Sequence, residues 1–241
     1  LTAIPKFERY TINPKLFFNL TEKTTLMLGL NTGIEKRIGG DLHYIAGKGD
    51  SIHSYFERNN TQRISTQFNL EHKFGKCSHL TLKNSYNSFN RLVQTPGYEF
   101  NGTQNATFTE FNYANHGEKT EWIAGLNLWT DNFTEKKLDS IPLRNYDQTT
   151  FGGFIQNTVK AAKWLNIESG LRVDYVINYE PVILPRVSLL FKISPKLTSR
   201  LGGGLGYKAP TIFTEESERI QYRNVLPIDK TNILEKSYGA N

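Results

Sequence analysis

Nine side chains combine positive charge with aromatic faces along this sequence: Tyr55, Arg58, Tyr98, Arg144, Tyr146, Lys208, Arg219, Tyr222 and Arg223. All lie in or beside stretches without apolar periodicity, and Arg91 is a further cation of that kind. A guanidinium offers a planar fork of donors to an anion and stacks on aromatic faces, and a tyrosine ring supplies such a face with a polar tip. Interleaved Arg and Tyr therefore suit capture of an anionic, aromatic, chelate-like ligand. An ordinary solvated loop uses the same residues.

Other chemistry is absent from the pattern. His43 and His53 share one long unpatterned stretch, where they could touch haem or a metal chelate. His72 and His79 flank a tight turn, and His116 sits in another. None has zinc-ligand spacing, and Cys77 is the only cysteine, which also excludes a disulfide scaffold. Gly202-Gly203-Gly204 lacks the Gly-Lys-Ser/Thr of a phosphate loop, and Glu215-Glu216 is a solvated pair by its neighbours. No nucleophile elbow or Ser-His-Asp order occurs. The chain reads as a non-enzyme with no resident metal or cofactor. Its 29 Lys+Arg against 23 Asp+Glu give a net charge of +6, but the basic residues are dispersed among acids and no nucleic-acid motif is present.

The elements that position these residues are strands. Ile64, Thr66, Phe68, Leu70, His72 and Phe74 alternate with Arg63, Ser65, Gln67, Asn69, Glu71 and Lys73. The same period of two recurs at residues 25–34, 165–175 and 186–193, and it argues β-strand because successive side chains point to opposite faces. Ten strands are predicted, at 14–20, 24–34, 62–74, 79–90, 107–115, 121–131, 149–160, 165–177, 184–193 and 197–207. Several exceed the roughly 5–6 residues usual for soluble proteins. The connections alternate between tight turns and long stretches (35–61, 91–106, 132–148, 208–236), with 178–183 intermediate. An up-and-down meander then collects the tight turns at one end and the long loops at the other, the asymmetry of transmembrane barrels.

The expected fold class is thus all-β: an antiparallel up-and-down meander, part of a transmembrane β-barrel. Its apolar rows would meet lipid. Its polar rows, with Arg63, Glu71, Lys73, Glu168, Arg172, Asp174, Arg186, Lys192 and Arg200, would line a wet interior. Phe17, Phe18, Phe74, Tyr86, Phe89, Tyr113, Trp122, Trp129, Phe133, Trp164, Tyr175 and Tyr207 are candidates for the interfacial girdles. No run approaches 18 apolar residues, so no membrane helix is expected. Leu1 to Pro5 lacks the basic and apolar regions of a signal peptide.

The last third carries a family resemblance. Gly170-Leu171-Arg172-Val173-Asp174-Tyr175 is followed by Leu184-Pro185-Arg186-Val187-Ser188-Leu189-Leu190-Phe191-Lys192. A turn leads on to Gly204-Leu205-Gly206-Tyr207-Lys208-Ala209-Pro210-Thr211, and Glu235-Lys236-Ser237-Tyr238-Gly239 has the look of a further strand onset. In order and spacing this resembles the TonB-dependent outer-membrane receptors. Close matches run from Gly170 onward; earlier strands agree in pattern, best at Trp122 to Thr130. The resemblance implies a 22-stranded barrel filled by a plug bearing the TonB-box. Residues 1–241 would be a middle part of that barrel domain, without the plug or the C-terminal strands. It further implies outer-membrane lipid as surroundings, the TonB complex as partner through the plug, and uptake of a ferric siderophore or similar chelate. Cobalamin, haem or an oligosaccharide would use the same barrel, and a structural or adhesive barrel would share its pattern.

Overall fold

The computed structural model of the chain describes residues 4–136, 143–229 and 231–241. Twelve strands form one antiparallel sheet in chain order: β1 (Lys6–Ile12), β2 (Lys15–Thr21), β3 (Thr24–Gly40), β4 (Phe56–Phe74), β5 (Ser78–Thr95) and β6 (Tyr98–His116) come first. They are followed by β7 (Thr120–Glu135), β8 (Tyr146–Ala162), β9 (Leu165–Val176), β10 (Val182–Ser194), β11 (Leu197–Lys208) and β12 (Glu235–Ala240). Two short helices, α1 (Leu42–Ile45) and α2 (Glu215–Arg219), sit in connections. The sheet is open among the described residues, with β12 paired to β11 and both β1 and β2 paired to β3.

The first two strands are halves of one. Ile12 lies opposite Thr32 and Lys15 opposite Gly29, so a single register continues across Asn13 and Pro14. Pro14 has no N–H to give the ladder, although its carbonyl still accepts from the Leu30 amide at 3.1 Å. The expected strand at 14–20 is therefore only the second half of the element, and 6–12 was not anticipated.

Each strand from β3 to β8 has 16–19 residues. About 9–11 tilted residues suffice to cross a bilayer, so each strand is longer than such a crossing requires. Leu26, Leu70, Leu82, Phe111 and Leu126 form one cross-strand row on the outer face. Further toward the long-loop end the same face reads Gln62, Asn90, Thr103 and Thr134. The apolar outer pattern stops there, but the backbone pairing does not.

That difference corrects the predicted connections. The stretch 91–106 is no long loop: β5 and β6 run to a tight turn at Pro96 and Gly97, whose φ of 74° suits a residue without Cβ. Likewise 35–40 and 56–61 are paired strand, leaving 41–55 as the connection. The β7–β8 connection shrinks to 136–145, and 137–142 within it lie outside the described residues. At the opposite end all turns are short, as at Glu22-Lys23 and Pro195-Lys196.

The girdle assignment divides. Phe18, Phe74, Tyr86, Tyr113, Trp122 and Tyr175 share the outer rows, and Trp164 stacks on outward Phe191 with centroids 6.2 Å apart. Phe17, Phe89, Trp129 and Phe133 occupy inner rows instead, and the Tyr207 hydroxyl donates to inner-row Asp174 at 3.1 Å.

Candidate functional site

The only cluster of buried apolar residues among those described lies on the inner face at the long-loop end. Val93, Phe100, Phe133 and Tyr146 come from β5 to β8, and Ile212 and Tyr222 come from the β11–β12 connection. That connection folds back over the sheet. Its helix α2 is started by Thr214, whose hydroxyl accepts from the Ser217 amide at 3.2 Å. Beyond α2, Gln221, Tyr222 and Asn224 take left-handed φ values of 56°, 63° and 59°. L-residues adopt that region at a cost of about 1–2 kcal/mol each, so packing must hold them.

A stacked column does so. Tyr222 lies on Phe100 with centroids 4.2 Å apart, the Arg91 guanidinium covers Tyr222 at 5.5 Å, and Arg144 approaches Phe100 at 5.2 Å. Arg144 is 1% exposed, forks onto Glu135 and also donates to the Tyr222 carbonyl. Burial works against the Arg144 charge, yet the Glu135 carboxylate prevails and raises its pKa above the ordinary arginine value. Arg91 donates to Glu218 at 2.8 Å and to the Tyr222 hydroxyl at 2.9 Å. The Arg91 bond holds the Glu218 carboxyl below its usual range, and burial pushes the Tyr222 phenol up. Phe133 sits where a Cβ on Gly102 would be, so glycine is required at that position.

Five of the nine predicted residues meet here. Tyr98 donates to the Gln221 carbonyl at 2.9 Å and is covered by Arg223 at 4.7 Å; Arg223 also donates to Thr95. Tyr146 receives Gln104 at 3.2 Å. With Arg144 and Tyr222 they pack the connection against the wall. The other four stand apart. Tyr55 is exposed at the end of the β3–β4 connection, and Arg219 pairs with Glu215 at 2.5 Å on the exposed face of α2. Lys208 lies opposite Glu235 and borders a cavity of about 420 Å³ enclosed largely by the β11–β12 connection. Arg58 points to the outer face, where it donates to Gln94 at 3.0 Å.

Sequence reading missed Glu135, Glu218 and the partnership of Phe100 with Phe133. Phe133 carries a usable signal, since it continues the odd-numbered inner row of Asn127 and Asp131. His43 and His53 do stack, with centroids 4.3 Å apart, and His53 Nδ1 lies 3.0 Å from Asp41. No group of three or more metal-ligating side chains occurs among the described residues.

Deeper in the wall, Arg172 donates to both oxygens of Asp174 at 2.8 and 2.9 Å and to Asn127 at 3.2 Å. Asp174 and Asn127 close over Gly152, where any Cβ would collide with both. The Arg172 and Asp174 that carry the resemblance therefore form one hydrogen-bonded wall with Tyr207.

The family profile described as "TonB dependent receptor-like, beta-barrel" matches residues 9–222. The chain belongs to the TonB-dependent receptor family. This is a family of transport receptors, not of enzymes. No curated protein sequence matches the chain. Among solved structures, the alcaligin outer membrane receptor FauA from Bordetella pertussis superposes with a TM-score of 0.71 at 14% identity, over 85% of this chain and 36% of that one. The siderophore receptor PirA from Acinetobacter baumannii gives 0.63 at 13% identity over 85% and 34%. The copper transporter OprC gives 0.68 at 12% identity over 88% and 38%. The chain spans little more than a third of the length of these structures. Its open TonB-dependent receptor sheet thus has the architecture of part of such a barrel.

Proposed function

We propose that the chain is one stretch of a longer outer-membrane barrel that imports a ferric siderophore or similar metal chelate, driven by the TonB complex through a plug carried elsewhere in the protein. The carrying observation is the inward-folded β11–β12 connection, which gives the long-loop end an aromatic and arginine-rich inner surface above a polar wall. Siderophore receptors among the structural neighbours support the ligand class. Tyr55, Lys208 and Arg219 are the ligand-contact candidates with free surface. Arg223 is exposed as well while it holds Tyr98, and Tyr98, Arg144, Tyr146 and Tyr222 shape the surface from beneath.

The test is uptake of labelled ferric chelates by iron-limited cells that depend on the parent receptor. Loss of uptake on deleting the receptor or TonB supports the reading; TonB-independent uptake contradicts it. Replacing Arg219 and Arg223 together by Ala should weaken ligand affinity of the full receptor, and unchanged affinity would remove the connection from ligand capture.

A further inference from the structure

We propose that His79 and His116 form a binding site for a borderline transition-metal ion, copper(II) by preference, on the inner face at the short-turn end. The site stands on the sheet geometry alone and goes beyond the chelate import proposed above. Its two residues come from β5 and β6, and their rings stack with centroids 5.1 Å apart and 18° between planes. His79 lies opposite Ala114, two residues before His116 on the same face. His116 lies opposite Glu121, which continues the odd-numbered inner row of Asn127. The His116 amide donates to the Cys77 carbonyl at 2.7 Å, which fixes its backbone in the ladder.

The surroundings of the two rings set them apart from other histidines of the chain. His72 has its Nδ1 on the Thr24 hydroxyl at 2.9 Å, and that of His53 lies 3.0 Å from Asp41. Neither ring nitrogen of His79 has a hydrogen-bond partner among the described residues. Lys73 lies opposite His79, but its ammonium is turned to Glu71 at 3.9 Å. Glu121 Oε2 stands 3.6 Å from His116 Nδ1, which leaves Nε2 as the nitrogen for a metal. Metal-ligating histidines commonly lean on a carboxylate through the other nitrogen in this way.

Imidazole nitrogen is a donor for copper, nickel and zinc. Metal–nitrogen bonds of about 2.0–2.1 Å put two ligating nitrogens within about 4 Å of each other. Rotation about the Cβ–Cγ bonds turns the stacked rings edge-on, and their nitrogens then come closer together than their centroids are. The rim has room for this, since the His116 and Glu121 side chains are 44% and 39% exposed. No third ligating side chain joins the pair among the described residues, so water takes the remaining positions. Two nitrogens with water suit copper(II), at the top of the divalent affinity order, better than the four protein ligands of a structural zinc.

The experiment uses the detergent-extracted full receptor with Cys77→Ser, which removes an exposed thiol as a competing ligand. Calorimetry with copper(II) counts the ions bound, and electron paramagnetic resonance counts the nitrogens on each. Replacing His79→Asn and His116→Asn together should remove one equivalent and its two-nitrogen signal. Glu121→Gln should keep the signal but weaken binding about 10–100-fold. His43→Asn with His53→Asn should leave this equivalent in place, and nickel(II) and zinc should bind it more weakly than copper(II). Heat-shifted gel mobility reports whether each variant is folded. Where the double variant loses that shift, His79→Asn alone carries the test by leaving one nitrogen in the signal. An unchanged copper count in the folded double variant, or two nitrogens still present in His79→Asn, would overturn the site. Full affinity with Glu121→Gln would overturn the positioning role of that carboxylate.

Discussion

The two ends of the same strands are stabilised in different ways. At the short-turn end, apolar residues such as Leu16, Trp122 and Leu197 remain 47–57% exposed, and the inner rows are polar. Among the described residues that half makes no apolar core of its own, and its apolar side chains stand on the outer face. At the long-loop end the outer rows turn polar, and the β11–β12 connection supplies Ile212 and Tyr222 to a true core on the inner face. One strand thus passes from a membrane wall into a protein interior along its length, and apolar residues change face as it does.

Arg144→Ala should separate the halves most strongly. It leaves Glu135 buried and unpaired, a loss of about 3–5 kcal/mol. Hydrogen exchange should speed up across 209–229 while the lower strands keep their protection. Replacing both partners by apolar residues of similar volume should recover most of the loss. Leu126→Arg tests the other half, since Leu126 is 67% exposed on the outer face. An arginine near mid-bilayer costs about 2–4 kcal/mol, read as a lowered midpoint in refolding from urea into lipid vesicles. In detergent-free water the same change should be harmless.

Tyr222→Phe sharpens the upper core more gently. It keeps the ring on Phe100 but removes bonds with Arg91 and Glu218, costing about 0.5–1.5 kcal/mol by the same exchange measurement. The smallest effect belongs to the β3–β4 connection, outside both halves. Hydrogen bonding to Asp41 raises the His53 pKa, and the reciprocal bond lowers that of Asp41. The contribution of His53 is complete below about pH 6.5 and is lost as pH rises through its elevated pKa. That of Asp41 is complete above about pH 4 and is lost as pH falls through its depressed pKa. Their contact should be strongest between those limits, as an NMR titration of the His53 imidazole can read. His53→Asn should abolish the titration and leave the barrel wall unchanged.

Most of the lower half was legible in the sequence, because lipid outside and water inside impose a strict period of two. Rows such as Leu26, Leu28 and Leu30 could be placed from that alone. Above the lipid both faces turn polar, as at Asn59, Asn60, Thr61 and Gln62, so the signal ends while the strand continues. This is why 91–106 reads as loop from sequence and forms a hairpin in the structure. Pro14 likewise hid the first half of its strand. The Arg and Tyr residues were visible as a chemical type, but not their partners. Arg144 and Glu135 flank one connection, whereas Arg91 and Glu218 are joined only by folding the β11–β12 segment inward, which no local pattern encodes.

The account rests on one face of the wall meeting lipid and the other facing a polar interior. Spin labels placed singly at residues 186–191 of the full receptor, in its membrane and with Cys77 replaced by Ser, test this directly. Collision with dissolved oxygen should peak at 187, 189 and 191, and collision with a water-soluble nickel chelate should show no peak there. Uniform values along the segment, or nickel accessibility at Val187 equal to that at Arg186, would contradict a membrane-spanning wall.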